Sequence, residues 1–241
     1  MEELWLAATY HFPSTYSLRI PMSSATHTRI MPAPGPGTVR LALIRTSIEI
    51  FGLQMTRDQI FPWIRTAKIR IRPPQHIGIS SHTLQAHKWD VDQQKKRPVI
   101  QESLMLREMA QTNDGMTIYI TRAEEQEDQC HTLLQAVGYW GQTSSFAQCT
   151  TISQMAPVKG EYAVPVSSLD TQHPLASYFL CFASEFRDEQ CSWEEVVEEI
   201  RGREEMLQLD VYAWPLIIAH QQKAGKVLTW HPLPQKAEEF V

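Results

Sequence analysis

Apolar residues recur with helical spacing most clearly in one segment, which begins after Thr38 and ends before Gly52. The residues that form the apolar face of this predicted helix are Val39, Leu43 and Ile50, with Leu41, Ile44, Ile48 and Phe51 beside them. Because most of the helix surface is apolar, we expect the helix to lie in the protein core. Thr38 fits an N-cap position, and Gly52 fits the end of a helix.

The segment before this helix cannot form a regular helix or strand. It reads Met31-Pro32-Ala33-Pro34-Gly35-Pro36-Gly37-Thr38, in which prolines remove backbone donors and glycines allow unusual backbone angles. Such a rigid turn presents backbone N–H groups at the start of a helix, where an anion can bind. The alternative is an ordinary tight turn before a core helix, and the spacing alone does not separate the two.

Apolar and β-branched residues predict strands on both sides of the helix. The predicted strands of the first two thirds are residues 4–12, 67–72, 99–106, 116–120 and 146–152. A second helix is predicted from Glu124 to Val137, with Gly138 at its end. If one strand belongs to an arm, the order matches the βαββαβ arrangement, so the predicted class is α+β with a ferredoxin-like fold.

The predicted domain organisation follows from this order. Residues 1–155 form the predicted ferredoxin-like domain, with a protruding arm at about 73–98, where the sequence shows no clear period. Residues 156–241 form a smaller, irregular α+β region that is expected to pack on that domain. Its predicted elements are strands at 179–186, 211–218 and 226–230 and an acidic helix that begins at Ser192.

The strand at 67–72 carries a row of cations. Ile69 and Ile71 point to one face, whereas Lys68, Arg70 and Arg72 share the other. Three cations on one face of a strand suit a polyanion such as RNA. They equally suit an edge strand whose charge repels the strands of other molecules.

Charge is divided unevenly along the chain, although the net charge is only −5. The first 107 residues hold 14 Lys and Arg against 7 Asp and Glu, whereas the rest hold 8 against 20. A basic first half suits a polyanion, and an acidic second half suits a basic partner protein. Four widely spaced cysteines and the lack of a long apolar run indicate a reduced, cytoplasmic protein without a membrane partner.

The sequence lacks the common motifs for catalysis and cofactor binding. It contains no phosphate-binding loop, dinucleotide fingerprint, nucleophile elbow or histidine pair with metal-ligand spacing. Metal-independent RNA cleavage needs a base, an acid and a cation, and suitable residue types exist in His11, His27 and His76 with Tyr10 and Tyr16. No spacing ties these residues together, so we expect no catalytic residue, no metal and no cofactor.

Several loose motifs occur together in a familiar order. They are the turn and helix at 31–53, the arm end Lys95-Lys96-Arg97-Pro98, the strands Ile100-Gln101-Glu102-Ser103-Leu104 and Met116-Thr117-Ile118-Tyr119-Ile120, and the loop Gly138-Tyr139-Trp140-Gly141-Gln142-Thr143-Ser144-Ser145. Over residues 3–155 this combination resembles the Cas-five family, whose members are RAMP-type subunits of type I CRISPR surveillance complexes (Cascade). The resemblance implies an RNA-recognition-like (RRM or RAMP) ferredoxin domain with a thumb-like arm.

The same resemblance implies partners and contact residues. Such subunits hold the 5′ handle of the CRISPR RNA (crRNA), contact the large and backbone subunits, and meet target DNA through the complex. The implied handle contacts are Gly35, Gly37, Thr38, Arg40, Lys95, Lys96, Arg97, Gln142, Thr143, Ser144 and Ser145. The alternation of the strand at 67–72 adds Lys68, Arg70 and Arg72 to this set of predicted RNA-binding residues.

The predicted function is therefore a non-catalytic RNA-binding subunit of a CRISPR effector complex. Two alternatives stay open. Some members of the family cut precursor RNA, so the first alternative is a metal-independent endoribonuclease that processes precursor crRNA. The second alternative is a ferredoxin-like protein that binds only other proteins, through its acidic half, because a fold alone does not prove a function.

Overall fold

The computed structural model describes residues 3–24, 27–92, 97–169, 175–187, 191–200 and 207–234, and shows a mixed α/β protein with extensive sheets and few helices. Its strands are β1 Leu4–His11, β2 His27–Thr28, β3 Ile69–Arg72, β4 His76–Asp92, β5 Arg97–Gln111, β6 Met116–Arg122, β7 Gln148–Gln154, β8 Val164–Pro165, β9 Phe179–Phe186, β10 Leu207–Trp214, β11 Leu216–Gln222 and β12 Gly225–Trp230. Its α-helices are α1 Pro36–Phe51, α2 Leu53–Met55, α3 Phe61–Thr66, α4 Glu127–Ala136 and α5 Trp193–Ile200.

The first sheet has four strands in the order β3-β6-β1-β7, and every neighbouring pair is antiparallel. Alternate residues of its second-last strand, β1, point towards the helices, since Leu6, Ala8 and Tyr10 belong to the hydrophobic core. The Tyr10 hydroxyl donates a hydrogen bond to the Leu134 carbonyl in α4 at 2.5 Å. Helices α1 and α4 therefore cover one face of this sheet.

The predicted arm is a long β-hairpin made by β4 and β5. Strand β12 pairs with β4 as far as Ser80, and β2 pairs with β5 at Leu106 and Arg107. Beyond these contacts the hairpin extends as a two-stranded ribbon, in which Leu84, Gln85 and His87 are exposed. Exposure on both faces removes the alternation of apolar and polar residues, which explains why the sequence showed no clear period there.

The last third of the chain supplies the strands of two further sheets. Strands β8, β10 and β9 form one of them, and β11 and β12 extend the arm sheet, whose order is β11-β12-β4-β5-β2. A single hydrophobic core contains residues from both sides of the predicted boundary at 155, among them Leu43 and Trp214. The predicted start of α5 is confirmed, because the Glu195 backbone N–H donates to Ser192 Oγ at 3.2 Å.

The start of α1 differs from the prediction. The helix begins at Pro36, and its N-cap, Gly35, lies three residues before the predicted cap at Thr38. Proline fits this position because it has no N–H to leave unpaired and its φ angle is already helical. The end was predicted correctly, since Gly52 has a φ of 81°, a left-handed value that favours glycine. The helical segments that follow Gly52 were not predicted.

Arg40 joins three parts of the molecule from a buried position in α1. Its Nε lies 2.8 Å from Glu185 Oε1 in β9, and its guanidinium also donates to the carbonyls of Ile64 and Arg65. The Arg40 side chain is 8% exposed and that of Glu185 is 23% exposed. Such a pair is costly to break, because removal of one partner leaves the other charge buried without compensation.

We predict that Arg40→Ala lowers the free energy of unfolding by about 3–5 kcal/mol, the range for breaking a buried ion pair. Urea unfolding followed by circular dichroism measures this loss. The matched control is Arg57→Ala, because Arg57 pairs with Asp58 on the exposed surface. We expect no measurable change for that control. Equal stability of the two variants would contradict the idea that the buried contacts of Arg40 stabilise the fold.

Candidate nucleic-acid interface

A basic cleft of about 340 Å³ opens where β3 begins, between the start of α1 and the end of β9. The cationic side chains that line it are Arg40, Arg65, Lys68, Arg70 and Arg187. Among the described residues that line the cleft, Glu185 is the only carboxylate. The cleft thus gathers positive charge from α1, α3, β3 and β9 into one concave surface.

The cations of the cleft differ in how firmly they are held. Arg65 donates to the Cys191 carbonyl at 3.1 Å, and its guanidinium lies 5.6 Å from the centre of the Phe61 ring. Lys68 is 57% exposed and pairs with Glu3. Arg187 is exposed, and no ion pair joins it to another residue within the described ranges. The cleft therefore has exposed cations at Lys68 and Arg187, which form its rim, whereas Arg40 is buried and committed to protein partners.

The three cations of the predicted row on β3 do not all lie on one surface in the folded chain. Ile69 and Ile71 are buried, as the alternation predicted, and Arg70 lies opposite Tyr119 on the other face. Lys68 precedes the strand and lines the cleft together with Arg70. Arg72 instead pairs with Glu161 at 3.2 Å.

The segment around Glu161 accounts for that division, because it closes the free edge of β3. The Ala163 N–H donates to the Ile71 carbonyl at 2.9 Å, and the Arg70 guanidinium lies 5.4 Å from the centre of the Tyr162 ring. Arg70 keeps its place in the cleft, whereas the ion pair of Arg72 fastens this segment to the sheet. The structure thus brings two of the three predicted cations together.

The proline and glycine turn is buried rather than open. A Cβ atom on Gly37 would lie 2.9 Å from the Ser184 carbonyl oxygen, and one on Gly35 would lie 3.1 Å from Ala183 Cβ. These glycines allow β9 to approach the start of α1, which corrects the expectation of an exposed anion site at the turn. Arg40 is likewise committed to Glu185 and to backbone carbonyls.

The loop from Gly138 to Ser145 is only partly accessible. Gln142, Thr143 and Ser144 are exposed at its tip, whereas the Ser145 side chain is buried. Ser145 Oγ accepts a hydrogen bond from the Ser17 N–H at 3.2 Å and donates to the Ser17 carbonyl at 3.2 Å. Ser145 therefore anchors the loop, which corrects its predicted place among the RNA contacts.

Thr38 lies beside this loop. A Cβ atom on Gly141 would be 3.8 Å from Thr38 Cγ2, and Gly141 has a left-handed φ of 65°. Half-buried Thr38 and the exposed tip of the loop thus share one surface near α1. The predicted arm residues Lys95 and Lys96 lie outside the described residues, and Arg97 begins β5.

The tyrosines considered for RNA cleavage belong to the core. The Tyr16 hydroxyl donates to the Pro32 carbonyl at 2.8 Å, and Tyr10 donates to Leu134 in α4. Burial raises the pKa of both tyrosines above the ordinary value. His76 is exposed, and its Nδ1 lies 3.0 Å from Asp114 Oδ2. The two tyrosines therefore do not face a surface where RNA could reach them.

Metal-binding groups and membrane-spanning helices are absent from the described part of the chain. No group of three or more His, Cys, Asp or Glu residues there has a geometry that could hold a metal ion. No described helix is long and apolar enough to span a bilayer.

One curated protein matches part of this chain. The CRISPR-associated protein Cas5 of Archaeoglobus fulgidus is 39% identical over 77 residues, which are 32% of this chain and 34% of that relative. Over that stretch the chain is similar to Cas5. The match covers about a third of the relative's own length, and no protein-family model matches the chain.

Solved structures resemble this chain only distantly. A crystal structure of a CRISPR protein from Archaeoglobus fulgidus is 10% identical with a TM-score of 0.46, covering 97% of this chain and 100% of that chain. A crystal structure of the Csm1–Csm4 cassette in complex with pppApA is 9% identical with a TM-score of 0.35, and the match covers 98% of this chain and 99% of that chain. A crystal structure of the same cassette in complex with cA4 is also 9% identical with a TM-score of 0.35, and the match covers 99% of this chain and 100% of that chain.

Two cations of the cleft were missed by sequence reasoning. Arg65 lies in α3, one of the unpredicted helical segments, and Arg187 stands in the acidic half of the sequence. Neither residue belongs to a sequence motif, and both join the cleft only in the folded chain, where α1 packs against β9. The clustering of positive charge in the folded structure reveals them, whereas their spacing along the sequence does not.

We predict that Gly37→Ala destabilises the protein by about 1–3 kcal/mol, the usual cost of overpacking. The added methyl group would press on the backbone of Ser184. The matched control is Gly78→Ala, whose methyl group would meet only the Gln111 carbonyl oxygen at 3.9 Å. Thermal unfolding of both variants measures the difference. A Gly37 variant as stable as the control would contradict the close approach of α1 and β9.

Proposed function

We propose that this chain is a non-catalytic RNA-binding subunit of a type I CRISPR effector complex, where it holds the 5′ handle of the crRNA. The observation that carries the proposal is the 39% identity to a protein named CRISPR-associated protein Cas5. In this proposal the partners are the crRNA handle, the backbone and large subunits, and target DNA through the complex. The basic cleft and the exposed tip of the loop at Gln142 to Ser144 supply the RNA contacts.

The strand order supports a ferredoxin-like domain of the RRM or RAMP type. In that arrangement a third strand lies between the first two strands of a split βαβ unit. Here β6 lies between β1 and β3, and α1 connects β1 with β3. The fourth strand of the arrangement corresponds to β7, which follows α4 and pairs with β1. Sheets of this kind are frequent platforms for single-stranded RNA.

The electrostatics of the cleft favour phosphate groups as its ligands. Lys68 and Arg187 are exposed, Arg70 is half-buried, and all three line the same cavity. Contacts of this kind displace counterions from RNA, so they give affinity that falls as the salt concentration rises. The exposed amide and hydroxyl groups of Gln142, Thr143 and Ser144 can form hydrogen bonds with base edges. Such contacts can distinguish one RNA sequence from another, whereas phosphate contacts alone cannot.

The burial of Tyr10 and Tyr16 supports a role without cleavage. A general acid or base must reach within hydrogen-bond distance of the proton that it transfers. Both hydroxyls instead donate to backbone carbonyls in the core. In our proposal the handle RNA is therefore bound and released unchanged.

We predict that the triple variant Lys68→Ala, Arg70→Ala and Arg187→Ala binds a single-stranded handle RNA at least ten-fold more weakly than the unaltered chain. The salt slope of log K should fall in magnitude by about 2, since each lost phosphate contact removes about 0.7 on single strands. Fluorescence anisotropy at several salt concentrations measures both quantities.

The matched control for this experiment is Arg57→Ala, which removes a surface cation outside the cleft and should leave RNA affinity unchanged. Unchanged affinity in the triple variant would contradict the cleft as the binding surface.

Cleavage is tested in the same mixture, where RNA recovered in the presence of a chelator should be full length. A discrete cut in precursor repeat RNA would instead support the endoribonuclease alternative.

A further inference from the structure

The two edges of the sheet β3-β6-β1-β7 are treated differently by the fold. The β3 edge is closed by the chain itself, through the hydrogen bond from Ala163 to Ile71 and the ion pair between Arg72 and Glu161. On the opposite edge, no described residue pairs with the outer side of β7. The backbone donors and acceptors on that side of β7 therefore have no strand beside them within the described part of the chain.

The usual protections of an edge strand are weak at β7. The segment from Gly138 to Val158 contains no Asp, Glu, Lys or Arg, although 20% of the whole chain is charged. The one proline in that segment, Pro157, follows the end of the strand. A bulge at Thr150 is present, and the next four residues, Thr151 to Gln154, pair with β1 in regular register. Natural proteins normally blunt such an edge with charge, proline or a covering segment.

Exposed apolar side chains flank this edge. Phe146, just before β7, is 53% exposed, and Met155 and Val158, just after it, are 46% and 55% exposed. Ile152 packs on the core, and Gln154 bonds to Glu127 in α4, so these two side chains point towards the helices. Thr151 and Ser153 point to the other face and are exposed. An open strand edge with apolar anchors at both ends fits an added strand.

We propose that β7 is the docking edge for an extended, uncharged segment of a neighbouring protein subunit, which adds a fifth strand to this sheet. The identity of that neighbour as a subunit of the effector complex rests on the proposed function. The added strand would exchange backbone hydrogen bonds with β7 and place apolar side chains against Phe146, Met155 and Val158. A charged residue in the partner segment would find no opposite charge along this stretch.

A second copy of the chain is a poorer occupant. The regular part of β7 spans four residues, or about 13 Å at 3.3 Å per residue. A stable specific interface usually buries about 800 Å² of surface on each partner. The area buried by a pair of four-residue strands is well below that value. A partner held also by other contacts suits so short an edge better.

The test uses the tagged chain co-expressed with the other proteins of its CRISPR locus and purified as the assembled complex. Ser153→Lys places a charge on the edge, and we expect at least ten-fold less partner protein to be recovered. The matched control, Gln135→Lys, adds the same charge to an exposed position on α4 and should assemble fully. Hydrogen exchange should show that those amides of residues 151–154 that point away from β1 become protected on assembly and not on addition of handle RNA alone.

Several outcomes would overturn this inference. They are full assembly of the Ser153 variant, unprotected amides in the complex, or protection that arises when the isolated chain is concentrated, which indicates a second copy. The isolated Ser153 variant should keep its thermal stability and bind handle RNA within two-fold of the unaltered chain. If the unaltered chain failed to bind RNA while the edge result held, the proposed function would fail and the docking edge would stand.

Discussion

One largely buried ion pair joins α1 to β9 where the basic cleft forms. Arg40 in α1 and Glu185 in β9 lie 2.8 Å apart, and Arg40 also holds two carbonyls at the end of α3. Glycines at the start of α1 allow β9 to come this close, since a methyl group at Gly37 would meet the Ser184 backbone. The cations of the basic cleft come together because these elements meet, as they lie on α1, on α3, at the start of β3 and just after β9. A structural contact thus shapes a surface that can bind an anion.

A division of labour among the cations follows from this packing. Arg40 satisfies a buried carboxylate and adds little to the field outside, because its charge is compensated. Lys68 and Arg187 remain exposed at the rim, where phosphate groups can reach them. Arg72 holds the segment around Glu161 against the sheet. Cations that share one face in the sequence therefore do different work in the folded chain.

Much of the local structure could be predicted from the sequence. The core helix, the alternation at Ile69 and Ile71 and the strand from Phe179 to Phe186 were all found, because each has a strong apolar period or clear flanking breakers. The arm was predicted without its hairpin, because an exposed ribbon has no buried face. The burial of the proline and glycine turn could not be predicted, since it depends on β9, which lies far away in the sequence.

The candidate interface was predicted only in part for the same reason. Lys68 and Arg70 were found through strand alternation, whereas Arg65 and Arg187 join them only in the folded chain. Ser145 was placed among the ligand contacts by its position in a loop motif, yet the structure buries it against Ser17. Sequence motifs locate loops well, but they do not show which side of a loop faces the core.

Photocrosslinking to handle RNA that carries 4-thiouridine, with the linked peptides identified by mass spectrometry, would show directly whether the basic cleft binds the RNA. We expect crosslinks in the peptides that contain Arg65 to Arg70, Gln142 to Ser144 and Arg187. Crosslinks confined to peptides of β10, β11 and β12 would contradict binding in the cleft, because those strands lie outside the basic cleft except at Tyr212.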